Sequence, residues 1–235
     1  MEKGKKIYEG KAKILYETEK PDLLIQYFKD DATAFNAAKK GTVDQKGVMN
    51  NRISSKIFEF LISEGIPTHF EKQLSDREML VKRVEIVMVE VIIRNRAAGS
   101  LCRLLGIEEG KALKQPILEF CYKRDDLGDP LINEDHIFAF ELATREEIDT
   151  IKKYTLRING LMSKFFSGLK LELIDFKLEF GRYKGKIILA DEISPDTCRI
   201  WEMGTGKKLD KDRFRHDLGN IEEAYQEVLN RVSAK

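Results

Sequence analysis

Residues 171–199, LELIDFKLEFGRYKGKIILADEISPDTCR, hold this chain's densest group of side chains able to do chemistry. Ile174, Phe176, Leu178 and Phe180 alternate there with Asp175, Lys177 and Glu179, the period of a strand with one apolar face. Residues 181–185 read as a turn, and residues 186–193 as a second strand ending near Asp191 and Glu192. If Phe180 faces Lys186, then Asp175, Lys177, Glu179 and Asp191 converge on one patch, and a one-residue slip would substitute Glu192. Carboxylates converging beside a lysine could hold Mg²⁺ and a phosphate, because hard cations take oxygen ligands. The same alternation also describes a hairpin whose charged face is merely solvated.

Three other groups could take part. Gly10 lies between two strand-like segments and is followed by Lys11 and Lys13; glycine admits close backbone approach to an anion, and the lysines share a face. A surface hairpin would look the same. Arg94-Asn95-Arg96-Ala97-Ala98-Gly99-Ser100 puts two guanidiniums among small residues at a strand end, a composition suited to an anion pocket. In KRDDLGDP, residues 123–130, Asp125, Asp126 and Asp129 could hold a metal or simply form solvated turns. Gly204-Thr205-Gly206-Lys207-Lys208 lacks the spacing of a phosphate-binding loop and reads as a surface turn.

The elements that must position these groups are legible in outline. Residues 6–9, 11–16 and 23–28 are short strand-like segments near the N-terminus. A helix is expected over 45–63, with Met49, Ile53, Ile57, Phe60 and Leu61 on its buried face. Residues 78–93 are β-like and 101–113 suggest a short helix. The clearest helix is 145–167, where Thr144 and Glu147 make a capping box and Ile148, Ile151, Thr155, Ile158, Met162 and Phe165 form a stripe. A last helix covers 221–232.

Composition narrows the function. With 235 residues, 41 basic and 40 acidic side chains, the chain has a net charge of +1, so no global field draws nucleic acid or membrane. Charges interrupt every apolar run, which excludes a spanning helix, and residues 1–10 have no secretory-signal pattern. Cys102, Cys121 and Cys198 are odd in number and widely spaced, as reduced thiols of a cytoplasmic protein would be. His69, His136 and His216 show no zinc spacing.

Six segments occur in one order: YEGKAK (8–13), FKDDATAFN (28–36), RNRAAGSL (94–101), LGDP (127–130), DFKLEFG (175–181) and ADEISPDTCRIW (190–201). Together they closely resemble the SAICAR synthetase family of purine biosynthesis, essentially from end to end. One departure is Met88, where proline is expected. The resemblance implies an ATP-dependent ligase joining L-aspartate to the carboxylate of carboxyaminoimidazole ribonucleotide (CAIR), through an acyl phosphate. It implies an α+β fold in two lobes, reminiscent of ATP-grasp and kinase architectures: residues 1–84, an antiparallel sheet covering ATP, and residues 85–235, a larger α/β lobe. A homodimer is compatible with it.

Site roles follow by motif, as implications of the resemblance. Gly10, Lys11 and Lys13 would form the phosphate-binding turn, with Lys82 and Val84 at the adenine edge. Glu179 and Asp191 would hold Mg²⁺, and Lys177 would lie between CAIR and the transferred phosphoryl group. Arg94, Ser100 and Arg199 would bind CAIR, with Asp175 in the same patch. Lys123 and Asp129 would belong to the same site, and Arg215 would serve a closing loop or aspartate. The family requires Asp191, rather than Glu192, to share a face with Glu179.

Overall fold

The computed structural model describes residues 2–34 and 39–234. Phe35 and Asn36 of the FKDDATAFN segment therefore lie outside the described residues.

The N-terminal alternation forms β1 (Lys6–Glu9), β2 (Lys13–Glu17) and β3 (Leu23–Phe28). β2 begins later than its pattern suggests because residues 10–13 close a turn, with the Gly10 amide donating to the Lys13 carbonyl at 2.9 Å. β4 (Asp31–Ala34) and β5 (Lys39–Thr42) pair as a separate ribbon, followed by α1 (Lys46–Ser63). The expected strand over 78–93 is two strands. β6 (Phe70–Gln73) and β7 (Glu78–Lys82) complete a five-stranded antiparallel sheet of order β1-β2-β3-β7-β6, whereas β8 (Glu85–Arg96) belongs to another sheet. The chain changes sheets at Arg83 and Val84.

The expected helix over 101–113 is shorter. α2 (Ser100–Leu105) stops at Gly106, whose φ of 63° is a left-handed helix end. The chain then enters β9 (Ala112–Tyr122). β10 (Leu131–Ile132) pairs only with Phe120 and Cys121 of β9, so Pro116 lies on an open edge where its missing amide is tolerated. After α3 (Glu134–Ala139) comes α4 (Arg145–Ser167), with both capping-box bonds present: the Glu147 amide donates to Thr144 Oγ1 at 3.2 Å and the Thr144 amide to Glu147 Oε2 at 2.9 Å.

β11 (Leu171–Tyr183), β12 (Lys186–Ala190) and β13 (Cys198–Glu202) complete the second sheet, of order β10-β9-β8-β11-β12. β8 pairs along one edge of β11; the other edge is shared, β13 taking its first half and β12 its second. Residues 191–197 loop out between them beside Lys177, whose amide reaches only the Thr197 carbonyl of that loop, at 2.9 Å. α5 (Asp212–Arg215) and α6 (Ile221–Ser233) finish the chain.

The β11–β12 register differs from the expected one. Tyr183 faces Lys186 across a two-residue turn, and Lys184 and Gly185 both have positive φ (49° and 74°), as a tight hairpin turn requires. Phe180 thus faces Leu189, and Glu179 faces Ala190. Continued as a regular strand, β12 would turn Asp191 away from the face of Glu179. It does not continue: Asp191 has φ 63°, a left-handed kink that Asp tolerates better than most residues.

One apolar cluster spans both sheets. It includes Phe28, Ile53, Ile57, Val89, Ile158, Phe176, Phe180, Leu189, Tyr225 and Val228. α1 packs against α6, and α4 against β11. The sheets also meet directly: the Leu189 amide donates to the Pro67 carbonyl and the His69 amide to the Leu189 carbonyl, at 2.9 and 2.7 Å. The fold is α+β with an N-terminal antiparallel sheet.

Candidate active site

β11 delivers Asp175, Lys177 and Glu179 to one face, two residues apart. That face is covered rather than solvated: Asp175 is 3% exposed and Glu179 4%. Lys177 Nζ lies 2.8 Å from Glu90 Oε1 and 3.8 Å from Asp191 Oδ2, and also bonds Glu179 Oε1. Lys123 Nζ approaches the same Glu179 oxygen at 3.0 Å. Lys13 Nζ, from the start of β2, bonds Asp191 Oδ1 and lies 3.0 Å from Glu192 Oε1. Three ammonium groups are thus threaded among four carboxylates. The kink at Asp191 lets both of the alternative acids, Asp191 and Glu192, reach Lys13.

Electrostatics follow from this packing. Burial pushes the Asp191 carboxyl upward, but Lys13 and Lys177 outweigh it and hold it well below the usual range. Burial works against the charge on Lys13 and Lys177 as well, yet the surrounding carboxylates keep both ammonium groups above the ordinary lysine value. Glu90 moves the other way: burial, with Glu179 directly across the strand pair, raises its carboxyl.

A second cluster adjoins the first through Asp175. Arg94, 1% exposed, donates to Glu119 at 2.8 Å, Asp175 at 2.7 Å, the Ala98 carbonyl at 3.3 Å and Ser100 Oγ at 2.8 Å. Arg199 donates to Asp175 at 2.9 and 3.1 Å and to Asp212 at 2.8 Å. Arg215 donates to the other oxygen of Asp212 at 2.7 Å. The result is an alternating chain, Arg94–Asp175–Arg199–Asp212–Arg215. Beneath it, burial and the nearby Asp212 raise the Asp210 carboxyl to about 7.

The remaining expected residues are placed differently. The amide of Gly10 is taken by the Lys13 carbonyl, and a Cβ there would meet the hydroxyl end of the exposed Tyr8 side chain at 2.9 Å. Lys11 pairs with Asp125 at 2.7 Å, joining the β1–β2 turn to the loop after β9. Lys82 Nζ donates to the Thr68 carbonyl at 2.9 Å, and its amide to the His69 carbonyl at 2.7 Å. Val84 packs where a side chain on Gly181 would clash. Asp129 accepts from its own turn, the Arg124 amide at 3.0 Å, while Asp126 pairs with Arg124. Asp125, Asp126 and Asp129 thus spend oxygens on Lys11 and Arg124, and no cage of three or more metal-ligating side chains forms among the described residues.

The donor set does suit a Mg²⁺ ion that arrives with phosphates. Among the described residues the hydrogen bonds to Glu179 all fall on Oε1, and Asp191 Oδ2 has only Lys177 at 3.8 Å. Each carboxylate keeps one oxygen for a hard cation, and Mg²⁺ uses one or two protein carboxylates plus water and phosphate oxygens.

Several contributors escaped the sequence reading. Glu90 left a trace, a single charge inside the apolar run of β8. Asp212 and the buried pair Lys46–Asp196, at 2.6 Å, left none beyond their charge. His69 is 3% exposed, neither ring nitrogen has a hydrogen-bond partner among the described residues, and burial lowers its pKa to about 3.

Comparison with known proteins identifies the family. The family model described as SAICAR synthetase matches residues 6–232. The phosphoribosylaminoimidazole-succinocarboxamide synthase of Caldanaerobacter subterraneus subsp. tengcongensis is 60% identical over 232 residues, covering 99% of each chain. The crystal structure of the synthase of that name from Ehrlichia chaffeensis superposes with a TM-score of 0.96 at 48% identity, covering 98% of this chain and 99% of that one. A SAICAR synthetase in complex with ADP superposes at 0.94 and 42% identity, covering 97% of each. With the paired clusters on β11 and matches over nearly its whole length, the chain belongs to the SAICAR synthetase family.

Proposed function

We propose that this chain ligates L-aspartate to the carboxylate of CAIR at the expense of ATP, giving SAICAR, ADP and phosphate. The observation that carries the reading is Lys177, held by Glu90 and Glu179 in the gap between β12 and β13, with the Arg94–Arg199 chain on one side and Asp191 on the other.

A carboxylate is a poor acyl donor, so it must be activated before an amine can displace oxygen. One CAIR carboxylate oxygen attacks the γ-phosphorus as the bond to ADP breaks. The amine of aspartate then attacks the acyl carbon, its C–O bond breaks, phosphate leaves, and the nitrogen gives up a proton to solvent or phosphate. The protein's part is positioning and charge. Arg199, with Arg94 and Ser100 behind it, orients the ribonucleotide. Lys177 and Lys123 neutralise charge on the transferred phosphoryl group, and Lys13 does so for the nucleotide phosphates. The Lys82–Val84 backbone borders the base; a relative in complex with ADP supports a nucleotide site in this family. Glu179 and Asp191 would hold Mg²⁺, which supplies Lewis-acid neutralisation of the phosphates when bound. Residues 1–84 and 85–235 serve as two lobes around this site. The free thiols Cys102, Cys121 and Cys198 support work in the reducing cytoplasm, and a homodimer accords with the family reading.

A coupled ADP-release assay omitting each substrate in turn tests this. Turnover should require CAIR and aspartate together; phosphorylation of CAIR that runs to completion without aspartate would make the enzyme a kinase. Asp191→Asn or Lys177→Ala should abolish turnover while leaving the fold intact, and near-normal rates in either would overturn the site assignment.

A further inference from the structure

Gly181 follows Glu179 by two residues on β11, so a side chain there would point to the face that carries Asp175, Lys177 and Glu179. No dihedral angle demands glycine at this position: its φ is not positive, and it pairs regularly with Ile188 of β12. The demand is steric. A Cβ on Gly181 would lie 2.6 Å from Val84 Cγ2, 2.7 Å from Val84 Cβ and 3.3 Å from the Glu85 carbonyl oxygen. Non-bonded carbons pack best at about 3.5–4.0 Å, and a β-branched valine has little rotamer freedom with which to step aside. β8 also bulges here, with residues 87–89 opposite Phe180 alone, between the Glu90–Glu179 and Ile86–Gly181 pairs.

The backbone that carries Val84 is fixed on both flanks. Before it, Lys82 pairs with Leu23, its amide donates to the His69 carbonyl at 2.7 Å, and the Arg83 amide donates to the Asp22 carbonyl at 2.8 Å. After it, Arg182 donates to Glu85 at 2.9 Å while another of its nitrogens holds Glu147, also at 2.9 Å. The crossing from one sheet to the other therefore rests on Gly181 with little room to retreat. A side chain at 181 would displace Val84, and the 82–84 backbone with it.

We infer that Gly181 is a positioning residue for the nucleotide. Its bare backbone seats Val84, and Val84 sets how far the base-binding edge stands from Glu179 and the phosphate-binding lysines. This role rests on the reading of the 82–84 backbone as the border of the base. Lys13, Lys123 and Lys177 do not touch Gly181, so the effect is confined to the base and spares the phosphates.

Calorimetric titration of ADP and of inorganic tripolyphosphate, which has no base, both with Mg²⁺, provides the test. Gly181→Ala should weaken ADP by about 3- to 13-fold, one neutral hydrogen bond lost or misaligned, and leave tripolyphosphate within about two-fold. The KM for ATP should rise in the same proportion as the ADP loss, while those for CAIR and aspartate stay within about two-fold. Val84→Gly removes both crowding carbons, so adding Gly181→Ala to it should weaken ADP no further, a non-additivity that general destabilisation does not produce. Gly185→Ala is the control on the same hairpin. Its φ is 74° and nothing lies within 4 Å of the added Cβ, so it should lower Tm without changing ADP affinity. Unchanged ADP affinity in Gly181→Ala, equal losses for ADP and tripolyphosphate, or additive losses in the double variant would overturn the role. If the wild-type enzyme turns over fully without aspartate, the underlying reaction is wrong instead, and the two titrations still decide the role of Gly181.

Discussion

Gly99→Ala probes how Arg199 is seated. Gly99 has φ 57° and ψ −125°, a conformation essentially closed to residues with a side chain, at a cost of about 1–3 kcal/mol. An added Cβ would lie 2.7 Å from Arg199 Cζ and 2.8 Å from its Nη1, so the guanidinium must also shift. It cannot shift freely, because Asp175 and Asp212 hold it from two sides. Backbone strain alone should lower Tm by about 2–12 °C, at about 2–4 °C per kcal/mol for a chain of this size. Losing one charge-assisted contact between Arg199 and the ribonucleotide, about 1.5–3 kcal/mol, should cut kcat/KM for CAIR by about 10- to 150-fold. Gly106→Ala is the control. It too requires a positive φ, 63°, but nothing lies within 4 Å of its added Cβ, so it should cost about 1–2 kcal/mol of stability without changing kinetics. Thermal melts and CAIR saturation curves read both effects. The reasoning fails if Gly99→Ala keeps its CAIR kcat/KM within about two-fold, or if Gly106→Ala loses as much.

Two further outcomes are expected. Lys46→Met leaves the buried Asp196 carboxylate with only Tyr225, which should cost about 3–5 kcal/mol and lower Tm by about 6–20 °C; the double variant with Asp196→Asn should recover part of this, and an unchanged melt for Lys46→Met refutes the pairing. Asp191 and Asp196 both have carboxyl pKa values below the ordinary 3.8 despite burial, because lysines outweigh it. The folded state then binds these protons more weakly than the unfolded chain. The stability they contribute is complete above about pH 4 and is lost as pH falls towards the folded values. Acid unfolding followed by circular dichroism should therefore be less steep below pH 4 in Asp196→Asn, and an identical slope would refute the assignment.

Local signals carried most of what the chain reveals unaided. The alternation from Ile174 to Phe180 and the Thr144–Glu147 capping box are short-range patterns, and both elements formed as read. Arg94, Arg199 and Lys177 could be singled out by charge and context, and they do meet along β11. What stayed hidden depends on distant pairing or on one dihedral angle. Asp191 reaches Lys13 through a left-handed kink, not through strand alternation, so counting residues from Phe180 does not give its position. The start of β9 lies within the span that reads as a helix, 101–113, where α2 itself covers only Ser100–Leu105. Lys46 opens α1, and nothing in its neighbourhood announces Asp196, 150 residues away.

β11 also acts as a ruler. Asp175, Lys177 and Glu179 are spaced by covalent geometry, about 6.6–7 Å per two residues, and the strand is bonded along β8 on one edge and by β12 and β13 on the other. The distance from the guanidinium chain to the acid–lysine cluster is therefore graduated by the backbone rather than set by a loop. Side-chain exchanges along this strand can alter charge or reach, but not the interval between stations. Inserting or deleting one residue between Asp175 and Glu179 would reverse the face of everything beyond it, which predicts that this segment varies in letters but not in length.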